Sequence, residues 1–212
     1  MAFRGWRAEA IEFYEGLEAD NTRAYWQDHK KEYEELVRGP MLELLAELAA
    51  EFGEGKIFRP FRDVRFSRDK SPYKTAIGAT LERGGYVQFS AHGLAAGSGY
   101  YVMMADQLDR YRRAVADDKP GRKLVEICDA LRKTGVEVTA KETLKTAPKG
   151  YPKDHPRIDL LRHKGLIVWK QWPVAPWMGT PKAKERVVDV LAAARPLNAW
   201  LDKHVGPTSQ TG

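Results

Sequence analysis

Apolar positions in the first quarter of the chain recur with a helical period. Trp6, Ala10, Phe13 and Leu17 follow steps of four, three and four, which sets them on one face of a first helix ended by the polar stretch "EADNT". A second helix is predicted from about Thr22, with Trp26, His29, Tyr33 and Leu36 or Val37 on its stripe. Gly39-Pro40 is expected to break that run. Pro40 suits the first turn of a third helix, whose stripe is Met41, Leu44, Leu45, Leu48 and Phe52.

From Phe58 the period changes to two, and β-branched, aromatic and glycine residues become frequent, which predicts antiparallel strands. Phe61 to Ser67 reads as the first. Thr75 to Arg83 and Tyr86 to Ser90 flank Gly84-Gly85, a pair able to take the positive φ angles of a tight hairpin turn. "GLAAGSG" reads as a hairpin connection and "GYYVMM", Gly99 to Met104, as the strand after it. Helices return at about Asp106 to Val115 and Pro120 to Thr134, and "VEVT" and "LIVWK" read as short strands at the sheet edges. A long structured loop should lead into a short helix near Arg157 to Arg162. The closing helix, Lys182 to His204, should kink or restart at Pro196. The expected architecture is α+β, an antiparallel sheet with helices packed on one face.

With 212 residues, 24.0 kDa, 43% hydrophobic and 30% charged, the chain can bury one sizeable core. A single domain over residues 1–205 is expected, with 206–212 as a disordered tail. Cys128 is the one cysteine, so no intrachain disulfide can form, and its helical spacing with Leu124, Ile127 and Leu131 makes it a core thiol of a reducing, cytoplasmic setting. The N-terminus lacks the apolar region of a signal peptide. No run approaches about 18 apolar residues, so no membrane partner is expected.

Charge changes the picture at one place. The net charge of +6 comes from 35 basic and 29 acidic residues, a balance that surface pairing can largely absorb. Within "FRPFRDVRFSRDKSPYKT", however, Arg59, Arg62, Arg65, Arg68, Lys70 and Lys74 face only Asp63 and Asp69. If the stretch is extended, Arg62 shares a face with Phe58, Pro60, Val64 and Phe66, and its guanidinium needs an acceptor or solvent. Arginine forks, lysine ammoniums and the hydroxyls of Ser67 and Ser71 together make an oxyanion cradle, with Tyr73 fixed by the Ser-Pro turn. Arg62, Arg65, Ser67, Lys70, Tyr73 and Lys74 are therefore the candidate anion-binding residues. The alternative is an architectural network in which Arg62 and Arg65 pair with Asp63, Asp69 and N-terminal glutamates.

"RDVRFSRDKSPYKT", with "NTRAYWQDHKKEY" upstream and "LKTAPKGYPKDHPRIDLLRHKGL" downstream, resembles the conserved-hypothetical family called domain of unknown function 2461 over nearly the whole chain, from about Trp6 to Trp200. The resemblance implies a compact α+β domain found alone in cytosolic proteins and brings no established activity, ligand or catalytic residue. It marks Asn21, Trp26, His29, Arg62, Asp63, Arg65, Ser67, Lys70, Pro72, Tyr73, Lys74, Asp154, His155 and Pro156 as positions of interest.

His155 in "KDHPR" is the candidate catalytic residue, a general acid or base oriented by Asp154 or Asp159; the alternative is a loop-capping histidine. The five histidines show neither HxH nor HExxH spacing, so no metal site is expected, and the glycine-rich stretch lacks GxGxxG spacing, so no cofactor is expected. Three functions remain open: an enzyme acting on a small phosphorylated or carboxylated molecule, a nucleic-acid-binding module, and an interaction protein with a purely architectural motif. Reaction type and oligomeric state are not legible.

Overall fold

The amphipathic stripes of the first quarter turn inward in the computed structural model, which describes residues 2–209. Helix α1 spans Ala8–Ala19 and buries Ala10, Phe13, Tyr14 and Leu17; Trp6, which precedes it, is also buried. Thr22 caps α2, Arg23–Glu32, by accepting from the Tyr25 amide at 3.2 Å, as a hydroxyl at a helix start can.

Gly39-Pro40 does not break the run. A π-helical segment, Tyr33–Arg38, carries the chain directly into α3, Gly39–Phe52. The Gly39 amide reaches back to the Glu34 carbonyl, a wider turn than α, and Pro40, which has no N–H to place, sits in the first turn that follows. The indole of Trp6 donates to the Val37 carbonyl inside this segment at 3.1 Å. Met41, Leu44, Leu45, Leu48 and Phe52 are all buried, as their spacing predicts.

Six strands follow the order β1-β2-β3-β4-β6-β5, with β1 Gly55–Ile57, β2 Ala76–Leu81, β3 Gly85–Ser90, β4 Gly93–Tyr100, β5 Glu137–Thr139 and β6 Leu166–Trp172. The β1–β2, β2–β3 and β5–β6 pairs are antiparallel. The chain divides into two compact units: the first runs through Ala96 and includes Gln171–Asp189, and the second comprises Gly97–Lys170 and the chain from Val190 onward.

In the first unit, Ile77, Ala79 and Leu81 of β2 and Val87 and Phe89 of β3 are buried, and Trp6 stacks on Phe89 at 4.6 Å. Their alternates, Gly78 and Thr80 with Tyr86 and Gln88, form the other face of the hairpin. Gly84 takes φ +84° at the turn. Helices thus cover one face of the hairpin, in line with the expected α+β class.

Two strand expectations are overturned here. Phe61 to Ser67 is not a strand: it is an irregular loop tied by a single Phe61–Tyr73 bridge, and Phe61 and Phe66 are 50% and 97% exposed. Alternation alone cannot hold a strand that has no partner along its length. Conversely, "GLAAGSGY" is not a connection but β4 itself, and Tyr101–Met104 is irregular. Close backbone approach explains the small residues. A Cβ at Gly97 would lie 2.7 Å from the Val168 carbonyl oxygen, where only glycine fits.

In the second unit, α4 (Ala105–Ala116), α5 (Asp118–Lys133) and α6 (Ile158–Arg162) bury Tyr111, Leu124, Cys128 and Leu161. Helix α7, Lys182–Ala193, is followed by α8, Arg195–His204, with Pro196 in the first turn of the restart. Of the expected tail, 210–212 lie outside the described residues. Gly206 to Ser209 lie along α4: Arg110 donates to the Pro207 carbonyl at 2.7 Å, and Ser209 N donates to Asp106 at 2.8 Å. Among the described residues, no helix is long and apolar enough to cross a membrane.

Candidate functional site

The turn between α1 and α2 positions the basic loop. Asn21 clamps Tyr73 from both sides, its Nδ2 donating to the Tyr73 carbonyl at 3.2 Å while its Oδ1 accepts from the Tyr73 amide at 3.0 Å. The Tyr73 ring stacks on Trp26 at 4.5 Å, and Trp26 in turn packs against Tyr33. Two stretches far apart in the chain, "NTRAYW" and "SPYK", are therefore one packed unit.

This clamp sets Lys74, Thr75 and Ala76 at the entry of β2, above the outer face of the hairpin. There the register places Gly78 opposite Gln88 and Thr80 opposite Tyr86. Gly78 supplies space, since a Cβ there would come within 2.5 Å of the Tyr86 hydroxyl. The result is a cleft of about 560 Å³ floored by Gly78, Tyr86 and Gln88, walled by Phe58, Arg62, Asp69 and Ser71, and bordered by Glu18 and Asn21.

The polar groups of the cleft differ in how they are satisfied. The Tyr86 hydroxyl donates to Gln88 Oε1 at 2.9 Å, which orients the Gln88 amide; its NH₂ has no acceptor among the described residues. Arg62 donates through Nη1 to Asp69, and the Ser71 amide donates to the other oxygen of Asp69 at 2.9 Å. Ser71 first and then Arg62 hold the Asp69 carboxyl well below the usual carboxylate range. Lys74 has no carboxylate partner among the described residues; its ammonium lies 5.4 Å from the Phe58 ring centre. Burial, with Arg59 nearby, lowers its pKa.

Of the predicted anion-binding set, Arg62, Tyr73 and Lys74 line the cleft, whereas Arg65, Ser67 and Lys70 do not. Arg65 folds onto Asp63 with two donors, at 3.0 and 2.7 Å. The Lys70 ammonium donates to the Val64 carbonyl at 3.0 Å, and the Ser67 amide donates to the same carbonyl at 3.3 Å. Tyr73 is 5% exposed and contributes chiefly as a packing element. The pairing of Arg62 and Arg65 with the loop's own aspartates is the pairing that the architectural reading expects.

His155 belongs to the second unit and does not line this cleft. Its Nδ1 accepts from the Arg157 amide at 3.0 Å, the geometry of a capping histidine. Arg157, two residues further on, is one that sequence reasoning overlooked. Arg157 is buried and donates to the carbonyls of Val115 (2.6 Å) and Ala116 (2.8 Å), completing the C-terminal end of α4. Among the described residues, no group of three or more His, Cys, Asp or Glu side chains is placed to hold a metal.

Gln88, Gly78 and Tyr86 were also absent from the predicted set. The signal lay in the hairpin: a turn at Gly84-Gly85 with period-two alternation brings Gly78 and Gln88 into register.

The family model of a conserved hypothetical protein (DUF2461) matches residues 9–200. The chain belongs to this family. The match includes the clamp, the cleft and the Arg157 loop. Neither the comparison with curated proteins nor that with solved structures finds a match.

Proposed function

We propose that the cleft on the outer face of the β2–β3 hairpin binds a small molecule carrying a phosphate or carboxylate group. Lys74, the free N–H groups of Arg62, the Thr75 hydroxyl and the oriented Gln88 amide are the anion contacts, and Phe58 is the apolar wall. The observation that carries this reading is the state of Lys74: a partly buried ammonium with a depressed pKa, facing a 560 Å³ cleft and lacking a carboxylate partner. A desolvated cation of this kind is stabilised by an incoming anion. Cytoplasmic placement accords with the single buried thiol, Cys128.

A thermal-shift series tests the reading. Phosphate, sulfate or a phosphorylated metabolite should raise the melting temperature above that in chloride of matched ionic strength, because a ligand at 100 times its dissociation constant adds about 2.7 kcal/mol. Lys74→Met should melt at or above the parent without ligand and lose the response. A flat response of the parent to phosphate, carboxylate and phosphorylated ligands alike would overturn the proposal.

A further inference from the structure

The basic run splits between two surfaces, and its outer end is separate from the cleft. Arg62 pairs with Asp69 and Arg65 with Asp63, and Arg59 lies close enough to Asp63 and Lys74 to shift both, so the cations of the loop's outer part that make no ion pair among the described residues are Arg68 and Lys70. Phe66, two residues before Arg68 in the chain, is 97% exposed, with the Arg65 guanidinium 6.0 Å from its ring centre, and the Lys70 ammonium meets the carbonyl of Val64 two residues before it. An apolar ring of that exposure is not part of the core. It is an aromatic face with one guanidinium beside it and two further cations, Arg68 and Lys70, on the same loop.

From this juxtaposition, we infer that the outer end of the loop binds single-stranded nucleic acid, with a base stacked on Phe66 and backbone phosphates on Arg68 and Lys70. Unpaired bases expose a π-face that every sequence offers, and stacking on an aromatic with phosphate neutralisation around it is the common mode of single-strand binding. A duplex hides those faces. An anionic bilayer suits the patch less well, because Val64 is half-buried and Phe66 is a single exposed ring with Arg65 and Arg68 as its charged chain neighbours.

The inference is independent of the proposed cleft function, since Phe66, Arg68 and Lys70 do not line the cleft. Fluorescence anisotropy of a labelled oligothymidylate at low salt reads it directly, beside a duplex of equal length and phosphatidylserine vesicles. Single-strand binding should fall with salt at a log–log slope of about 1.4, from about 0.7 per phosphate over two contacts. Phe66→Ala should weaken binding about tenfold with the slope unchanged. Arg68→Gln should lower the slope by about 0.7, and Lys74→Met should bind like the parent. The melting temperatures of these exposed variants serve as the folding control. Equal binding by Phe66→Ala, duplex binding as tight as single-strand binding, or retention on vesicles without oligonucleotide binding would each overturn the assignment.

Discussion

Arg62 and Arg157 come from the two basic motifs of the chain, one in each unit, and their guanidiniums meet different surroundings. The Arg157 side chain is 8% exposed, and its donors meet the carbonyls that close α4, with the exposed Asp118 carboxylate at 3.4 Å as an addition. The Arg62 side chain is 29% exposed, meets one loop carboxylate and keeps other donors toward a cleft. A helix end offers several fixed acceptors that must be satisfied somewhere, so an arginine placed there is fully occupied by the fold. A loop aspartate accepts one contact and leaves the guanidinium with capacity for a ligand. Similar basic motifs thus acquire a structural and a candidate binding role according to the acceptors around them.

The largest effect expected from this contrast is at Arg157. Arg157→Ala leaves the Val115 and Ala116 carbonyls without their donor and should cost about 2–3 kcal/mol, or roughly 5–10 °C in Tm for a chain of this size. Differential scanning calorimetry checks it; a melting temperature unchanged from the parent would remove the distinction between the two arginines. Asn21→Ala comes next, because both backbone groups of Tyr73 lose their partner. A loss of about 1–2 kcal/mol is expected, together with a weaker anion response, since the clamp sets Lys74.

The third expectation concerns pH. The depressed pKa of Lys74 means that the ammonium is lost at lower pH than for an ordinary lysine. Anion affinity, measured by titration calorimetry, should therefore fall as pH rises through that depressed value, and Lys74→Arg should carry the affinity to higher pH. The smallest effects belong to the exposed pairs. Arg65→Ala should leave the melting temperature close to that of the parent, as for most solvent-exposed ion pairs. For Asp69 the folded pKa is lowered, so its contribution is present above the ordinary carboxylate range and is lost as pH falls through the folded value. The stability gap between the parent and Asp69→Asn should thus narrow on acidification. A gap that widened would reverse the assigned sign.

Elements whose cause is local were legible in the residues. The stripes of α1 and α3, the start of α2 near Thr22, the Gly84 turn and the restart at Pro196 each follow from side-chain period or from the backbone preference of one residue, and none needs a distant partner. The cleft was half legible. Arg62, Tyr73 and Lys74 stood out by charge and by the Ser-Pro turn, while Gln88 carries no local mark and matters only because Gly78 lies opposite it.

The sequence by itself determined the α+β class, the helical stripes and the location of an excess of positive charge, because those properties are written in neighbouring residues. Tertiary structure alone decided three other matters. It made "GLAAGSGY" a strand, since glycine at position 97 answers a carbonyl of β6 rather than a turn. It left Phe61–Ser67 as a loop, since alternation without a continuous partner forms no ladder. And it divided one run of cations among paired, clefted and exposed positions, because the partner of a charge is set by what the folded chain brings within a few ångströms of it.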